Sequence, residues 1–171
     1  DELGPFHATC HIPAFIEGGR TTENGIHYLN GIPVHMTDFA RDKLFGFSTS
    51  NLAKLIEEKS HGKIKAKNIM HLDIKQLEMA IDNEDGFNDL LKFLFKLDNN
   101  STVVVDAKFS HHLKILARAV KTVSKEKRFL FRTAASFINA LSDLPPNPQS
   151  TLELVSLKSK NVDFGYKPGL I

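Results

Sequence analysis

The sequence predicts an α/β fold: a mostly parallel sheet with flanking helices, three-layered and Rossmann-like, carrying a β-hairpin excursion. Three observations carry that expectation. Thr102–Val105 is a short β-branched run without polar alternation, as expected of a strand buried on both faces. Leu113, Leu116, Ala117, Val120 and Val123 recur at helical spacing directly after it, and similar alternation of strand-like and helix-like segments continues along the chain. Asn30-Gly31, between Ile26–Leu29 and Ile32–Val34, marks a two-residue hairpin.

In chain order, a first apolar strand ends at Pro13-Ala14-Phe15. Gly18 and Gly19 then permit backbone angles that other residues resist, and Arg20, Thr21 and Thr22 follow at the mouth of that loop. After Gly25, Ile26 and Tyr28 face one side of a strand and His27 and Leu29 the other, with His27 expected at the hairpin surface. Ser50 is expected to cap a helix with an apolar face of Leu52, Leu55 and Ile56 that ends near Gly62. Asn68–Ile74 reads as a strand, and Lys75–Ile81 is open between a strand and a helical turn. Phe87, Leu90, Leu91, Leu94 and Leu97 form a helix face after Asp85-Gly86. Ser110 is placed to cap the helix that contains Leu113. Phe129–Phe131 gives another strand, and Ala134, Phe137, Ile138, Leu141 and Leu144 a last helix face. Pro145-Pro146-Asn147-Pro148 ends it as an extended linker. The expected division is an α/β domain over 1–144 and a connector over 145–171.

Composition narrows the function classes. The chain has 171 residues, enough for one domain with a core. Its 42% hydrophobic and 25% charged composition is ordinary for a soluble globular protein. A net charge of +2 with scattered lysines gives no reason to expect nucleic acid. The single Cys10 excludes an internal disulfide and suits a reducing compartment, and its apolar strand favours a buried, inert thiol. No apolar run approaches the ~18 residues a membrane span needs, so the expected setting is cytoplasmic. His111 and His112 point about 100° apart on a helix, and Cys10 has no second cysteine, so no metal site is expected. Walker A, GxGxxG and GxSxG patterns are all absent.

Ligands of parallel sheets bind beyond the carboxyl ends of the strands. Three groups fall there: Asp106 after the VVV strand, Arg132 and Thr133 after the FLF strand and before a helix N-terminus, and Arg20 with Thr21 and Thr22 after the first strand. They are expected to share one cleft. Each also has a plainer reading. Arg20 could pair with Glu17 or Glu23, Asp106 could hold a turn, Arg132 could be balanced by Asp106, and Thr133 and Ser136 could cap a helix.

The succession Pro13-Ala14-Phe15, Gly19-Arg20-Thr21-Thr22, Gly25-Ile26-His27-Tyr28 and Phe39-Ala40-Arg41-Asp42 resembles the sugar-binding N-terminal domain of the four-carbon acid sugar kinases. Val103–Ala107 and Phe131–Phe137 agree with it, so the resemblance covers roughly residues 8 to 140 in three ordered blocks. Lys43 stands where the family usually has a proline, and Leu44–Ser48 replaces the usual proline-containing turn, while Arg41, Asp42, Ser50 and Asn51 match. The resemblance implies that the chain is the substrate-binding portion of an ATP-dependent kinase for a threonate- or erythronate-type acid. Arg20, Thr21, Thr22, Asp106, Arg132 and Thr133 would be the substrate contacts. The arginines suit a carboxylate and the Thr and Asp side chains suit hydroxyls. ATP and Mg²⁺ would be bound by a nucleotide domain beyond this chain, and a small sugar acid would be its partner. Family members also carry an earlier Asp-Asp segment expected to supply the catalytic base. With neither part present, the chain reads as an internal piece, inactive alone, and no catalytic residue is assigned. Homo-oligomerisation stays open. Two other functions compete: a non-catalytic small-molecule-binding or regulatory α/β module, and an interaction protein that presents the hairpin as an exposed edge.

Overall fold

Residues 5–42 and 46–142 are described by the structure, a computed structural model. The Pro145–Pro148 linker, the connector to 171, Leu144 and part of the Leu44–Ser48 turn lie outside those residues. The elements are β1 (Ala8–Ile12), β2 (Arg20–Glu23), β3 (Ile26–Leu29), β4 (Ile32–Pro33), α1 (Leu52–Lys59), β5 (Met70–Leu72), α2 (Ile74–Asp82), α3 (Glu84–Lys96), β6 (Ser101–Val105), α4 (Ser110–Val123), β7 (Phe129–Thr133) and α5 (Ala135–Ser142). Short 3₁₀ turns cover Ile16–Gly18, Val34–Met36, Asp38–Arg41 and Ala66–Asn68.

The main sheet has the order β5-β6-β1-β7, and every pairing in it is parallel, as the sequence predicts. One face of β1 presents Ala8, Cys10 and Ile12, each no more than 3% exposed. Val103 and Val105 of β6 join them against Leu113, Leu116, Val120 and Val123 of α4, with Leu90 and Leu94 of α3 and Phe137 of α5 completing the core. Burying each such aliphatic side chain contributes about 1.5–3 kcal/mol, so this face is the main source of stability. Along the opposite face, α1 leaves a groove of about 520 Å³ between Leu55 and Ile56 on one wall and Thr9, His11, Thr102 and Leu130 on the other.

Side-chain caps decide several local boundaries. Asp73 Oδ1 accepts from Gln76 N at 2.9 Å while the Gln76 side chain accepts from Asp73 N at 3.1 Å. This reciprocal box starts α2 at Ile74, which resolves Lys75–Ile81 as helix and shortens the expected strand to Met70–Leu72. Asn51, and not Ser50, caps α1 by accepting from Lys54 N at 3.0 Å. Ser50 is instead held by His35, whose backbone N–H donates to its hydroxyl at 2.9 Å. At α4 the N-cap position is Phe109, not Ser110, and His112 in the first turn reaches back, its Nδ1 accepting from Lys108 N at 3.2 Å and Phe109 N at 3.4 Å. Ile138 is 56% exposed and so leaves the expected α5 core face, and Phe95 on α3 is likewise exposed.

The antiparallel excursion is larger than a single hairpin. Strands β2-β3-β4 form a separate three-stranded sheet, so Arg20–Thr22, expected in a loop, are extended and paired. Two Asn-Gly turns build it. Asn24 and Gly25 have φ of 53° and 70°, and Asn30 and Gly31 have 50° and 79°, the left-handed pairs that two-residue turns need. The arm is tied to the body by backbone hydrogen bonds: Thr22 N to Ala107 O at 2.9 Å, Ala107 N to Thr22 O at 3.0 Å, and Leu52 N to Gly25 O at 2.8 Å.

Gly86 lies inside α3, and a Cβ built there would sit 2.1 Å from the Met79 carbonyl oxygen and 2.9 Å from Ala80 N. Both obstacles are backbone. Gly86→Ala should therefore lower stability by about 1–3 kcal/mol, outweighing alanine's better helix propensity. Urea denaturation measures this, and an equal or higher midpoint would show that α2 and α3 can separate freely.

Candidate functional site

Parallel strands β1 and β7 end side by side, with Ile12 paired to Thr133. Beyond them a surface depression is lined by Pro13, Arg20, Phe131, Arg132, Thr133 and Ala134. Arg20 reaches it because the backbones of Phe15 and Arg20 exchange two hydrogen bonds, at 3.0 and 2.9 Å, across the Ile16–Gly19 turn. Thr133 is placed by its hydroxyl, which donates to Ile12 O at 3.0 Å. The structure thus brings Arg20, Arg132 and Thr133 together. Thr21, paired with Tyr28 in the neighbouring strand, is half-buried beside Arg20.

The two arginines lack the acidic partners that the plainer readings supply. Glu23 pairs with Lys108 at 3.3 Å, and Glu17 accepts a hydrogen bond from Ser136 Oγ. Asp106 is engaged elsewhere. Among the described residues neither Arg20 nor Arg132 makes an ion pair, and the Arg20 guanidinium lies 5.0 Å from the centroid of the Phe39 ring. Nearby imidazoles add no charge at neutral pH. Burial and the Arg20 charge push His27 down to about 4, and burial and the Arg132 charge push His11 down to about 4. The depression is therefore flanked by two uncompensated cations, at the start of α5, where helix N–H groups favour an anion.

Asp106 does not share this cleft. It is 1% exposed; its Oδ1 accepts from Gly25 N at 3.0 Å, and Oδ2 lies 3.0 Å from His71 Nε2 without hydrogen-bond alignment. Of the six residues expected in one cleft, Arg20, Arg132 and Thr133 line the depression, whereas the Asp106 carboxylate is buried beneath the Asn24-Gly25 turn, where it holds the arm. Thr22 is also fully buried, its hydroxyl 3.1 Å from His27 Nδ1. His27, expected at the surface, is only 9% exposed, because its register opposite Thr22 turns it towards the body. His71 and Phe39 were not anticipated. His71 becomes visible only once β5 and β6 are known to be neighbours, and Phe39 only once the arm folds over Arg20. Among the described residues no cluster of three His, Cys, Asp or Glu could hold a metal ion, and no helix is long and apolar enough to cross a membrane.

The molecule is thus a parallel α/β body with an antiparallel arm, and two arginines border one depression beyond the ends of β1 and β7. The family model described as the sugar-binding N-terminal domain matches residues 1–141, and the chain belongs to that family. Solved structures share the fold. A Haemophilus influenzae protein of family DUF1537 is 17% identical over 80% of this chain and 30% of its own, with a TM-score of 0.57. A Salmonella typhimurium LT2 protein is 15% identical over 80% of this chain and 30% of its own, also at 0.57. A DUF1537 domain from Bordetella bronchiseptica, solved with bound citrate as a domain-swapped dimer, is 20% identical over 79% of this chain and 29% of its own, at 0.58. The chain thus spans about 30% of the length of these structures. No curated protein sequence matches it.

Two outcomes test this description. Asp106→Ala strands a buried Gly25 N–H and should lower stability by about 1.5–3 kcal/mol in urea denaturation, with Asp106→Asn costing less; a loss confined to ligand binding would return Asp106 to the site. His11 and His27, titrating near 4 when folded against an ordinary value of 6.5, leave the folded chain short of protons below pH 6.5. Their contribution to stability should be full above pH 6.5 and decline as pH falls towards 4. His27→Gln should make that decline shallower, as read from urea midpoints across the range.

Proposed function

We propose that this domain grips the carboxylate of a four-carbon sugar acid, of threonate or erythronate type, as the substrate-binding portion of an ATP-dependent kinase. The observation that carries the reading is the pair of arginines, Arg20 and Arg132, bordering one depression without a carboxylate partner among the described residues. A guanidinium fork matches a carboxylate bidentately, and beside it the Thr133 hydroxyl, whose proton goes to Ile12 O, can accept from a ligand hydroxyl. The family's sugar-binding description and the citrate, itself a hydroxy acid, held by the Bordetella bronchiseptica relative support the same ligand chemistry. Phosphoryl transfer depends chiefly on positioning and charge neutralisation, so a domain that orients the acceptor while ATP and Mg²⁺ are held elsewhere is a workable division. A cytoplasmic setting suits the reduced Cys10, and a homodimer is compatible with the assembly of that relative.

Isothermal titration of the chain with threonate and erythronate tests the binding step, and an ADP-release assay on the protein carrying this domain tests the transfer. Arg20→Ala should weaken binding by roughly one to two decades, the worth of a charge-assisted bidentate contact. Arg20→Lys should recover part of it, keeping the charge but losing the fork. The melting temperature should hardly move, since Arg20 has no ion pair to lose among the described residues. Absence of binding by either acid, or an Arg20→Ala variant that binds normally, would overturn the reading.

A further inference from the structure

The structure assigns a role to Phe39: we propose that its ring is the platform that aims the Arg20 guanidinium into the depression, making Phe39 a positioning residue for the acid. This rests on the reading above and adds what holds the arginine in place. The Arg20 backbone is fixed by its reciprocal hydrogen bonds with Phe15, but that leaves the long side chain free to swing. No ion pair among the described residues restrains it, and its guanidinium lies over the Phe39 ring, 5.0 Å from the centroid. An aromatic face attracts a guanidinium through its quadrupole and allows it to lie flat, which leaves the donor edge free for a ligand.

The ring is not there for the core. Phe39 is 55% exposed and lies outside the buried cluster. Nor does it line the depression, which is bounded by Pro13, Arg20, Phe131, Arg132, Thr133 and Ala134. It backs Arg20 from outside, so its effect on a ligand would pass through the arginine. The backbone beneath the ring is held by hydrogen bonds. It sits on the Asp38–Arg41 turn, whose Ala40 N–H donates to Thr37 O at 3.1 Å. Thr37 Oγ1 in turn donates to the carbonyl of buried Val34 at 2.7 Å. A hydrogen-bonded turn that follows the arm thus places an aromatic face beside an arginine that stands 19 positions earlier in the chain.

The test compares four proteins, the wild-type chain, Phe39→Leu, Phe39→Tyr and Arg20→Ala, by calorimetric titration with threonate and erythronate and by thermal melting. Leu keeps an apolar side chain but has no ring face, and Tyr keeps the face. Phe39→Leu should weaken binding about two- to fivefold, the range of an exposed cation–π contact, with an unchanged melting temperature. Phe39→Tyr should bind like the wild type. If Arg20→Ala loses affinity while Phe39→Leu binds normally, the platform role is overturned and the substrate reading stands. If Phe39→Tyr is as weak as Phe39→Leu, the shape of the side chain matters and the platform role again fails. A wild-type chain that binds neither acid, or an Arg20→Ala variant that binds normally, removes the substrate reading and this role with it.

Discussion

Asp106 follows β6 in a place where water cannot reach it, and its Oδ1 accepts the amide of Gly25, 81 residues earlier in the chain. A lone carboxylate in that position would be strongly unfavourable, so the arm can dock only when the Asn24-Gly25 turn presents its N–H and His71 closes the other side. That requirement sets the register of the arm. Once it is met, Thr22 and Ala107 exchange their backbone hydrogen bonds and His27 turns inward against Thr22. Arg20 begins the same strand as Thr22, so its distance from Arg132 follows from a docking event at the far end of β2.

The charge distribution around that strand has a direction. Lys108 occupies Glu23, and Ser136 occupies Glu17. His71 stands against Asp106, while burial keeps His11 and His27 neutral at pH 7. Glu17 keeps its charge, and Arg20 and Arg132, which border the depression, have no ion-pair partner among the described residues. Two like charges bordering one small concavity repel each other, and an anion settling between them relieves that repulsion while adding its own attraction. Because the depression is open to solvent, this attraction should weaken with ionic strength and act on encounter as well as on residence.

Much of the body was legible in the sequence because a parallel sheet writes continuous apolar strands and period-3.6 helices. Val103–Val105, the α4 face and the core side of β1 are of that kind. Asn30-Gly31 was equally plain. Asn24-Gly25 was missed, although it is the same dipeptide, because Arg20–Thr22 has no apolar alternation to mark it as a strand; tertiary pairing with β3 and Ala107 makes it one. The site was legible as an inventory of arginines and threonines at strand ends. Its partition was not. Whether Asp106 faces a ligand or a turn depends on where the arm lies, and burial of His27 depends on register, which a two-residue repeat alone does not reveal. Helix starts failed locally for a related reason: adjacent Ser50 and Asn51 are both good caps, and the interaction of Ser50 with His35 leaves the role to Asn51.

Cys10 sits on β1, between β6 and β7, 3% exposed, with burial pushing its thiol up to about 12. Its reactivity is consequently a property of the whole sheet. Cys10 lies under the helices that cover this face of the sheet, so only opening of the core uncovers it, and alkylating and oxidising reagents sample the rare opened molecules. While folded, the domain is shielded against intermolecular crosslinking despite carrying a free thiol. Once opened, two chains can join through this one position, and a disulfide there would keep each central strand from closing back into its sheet.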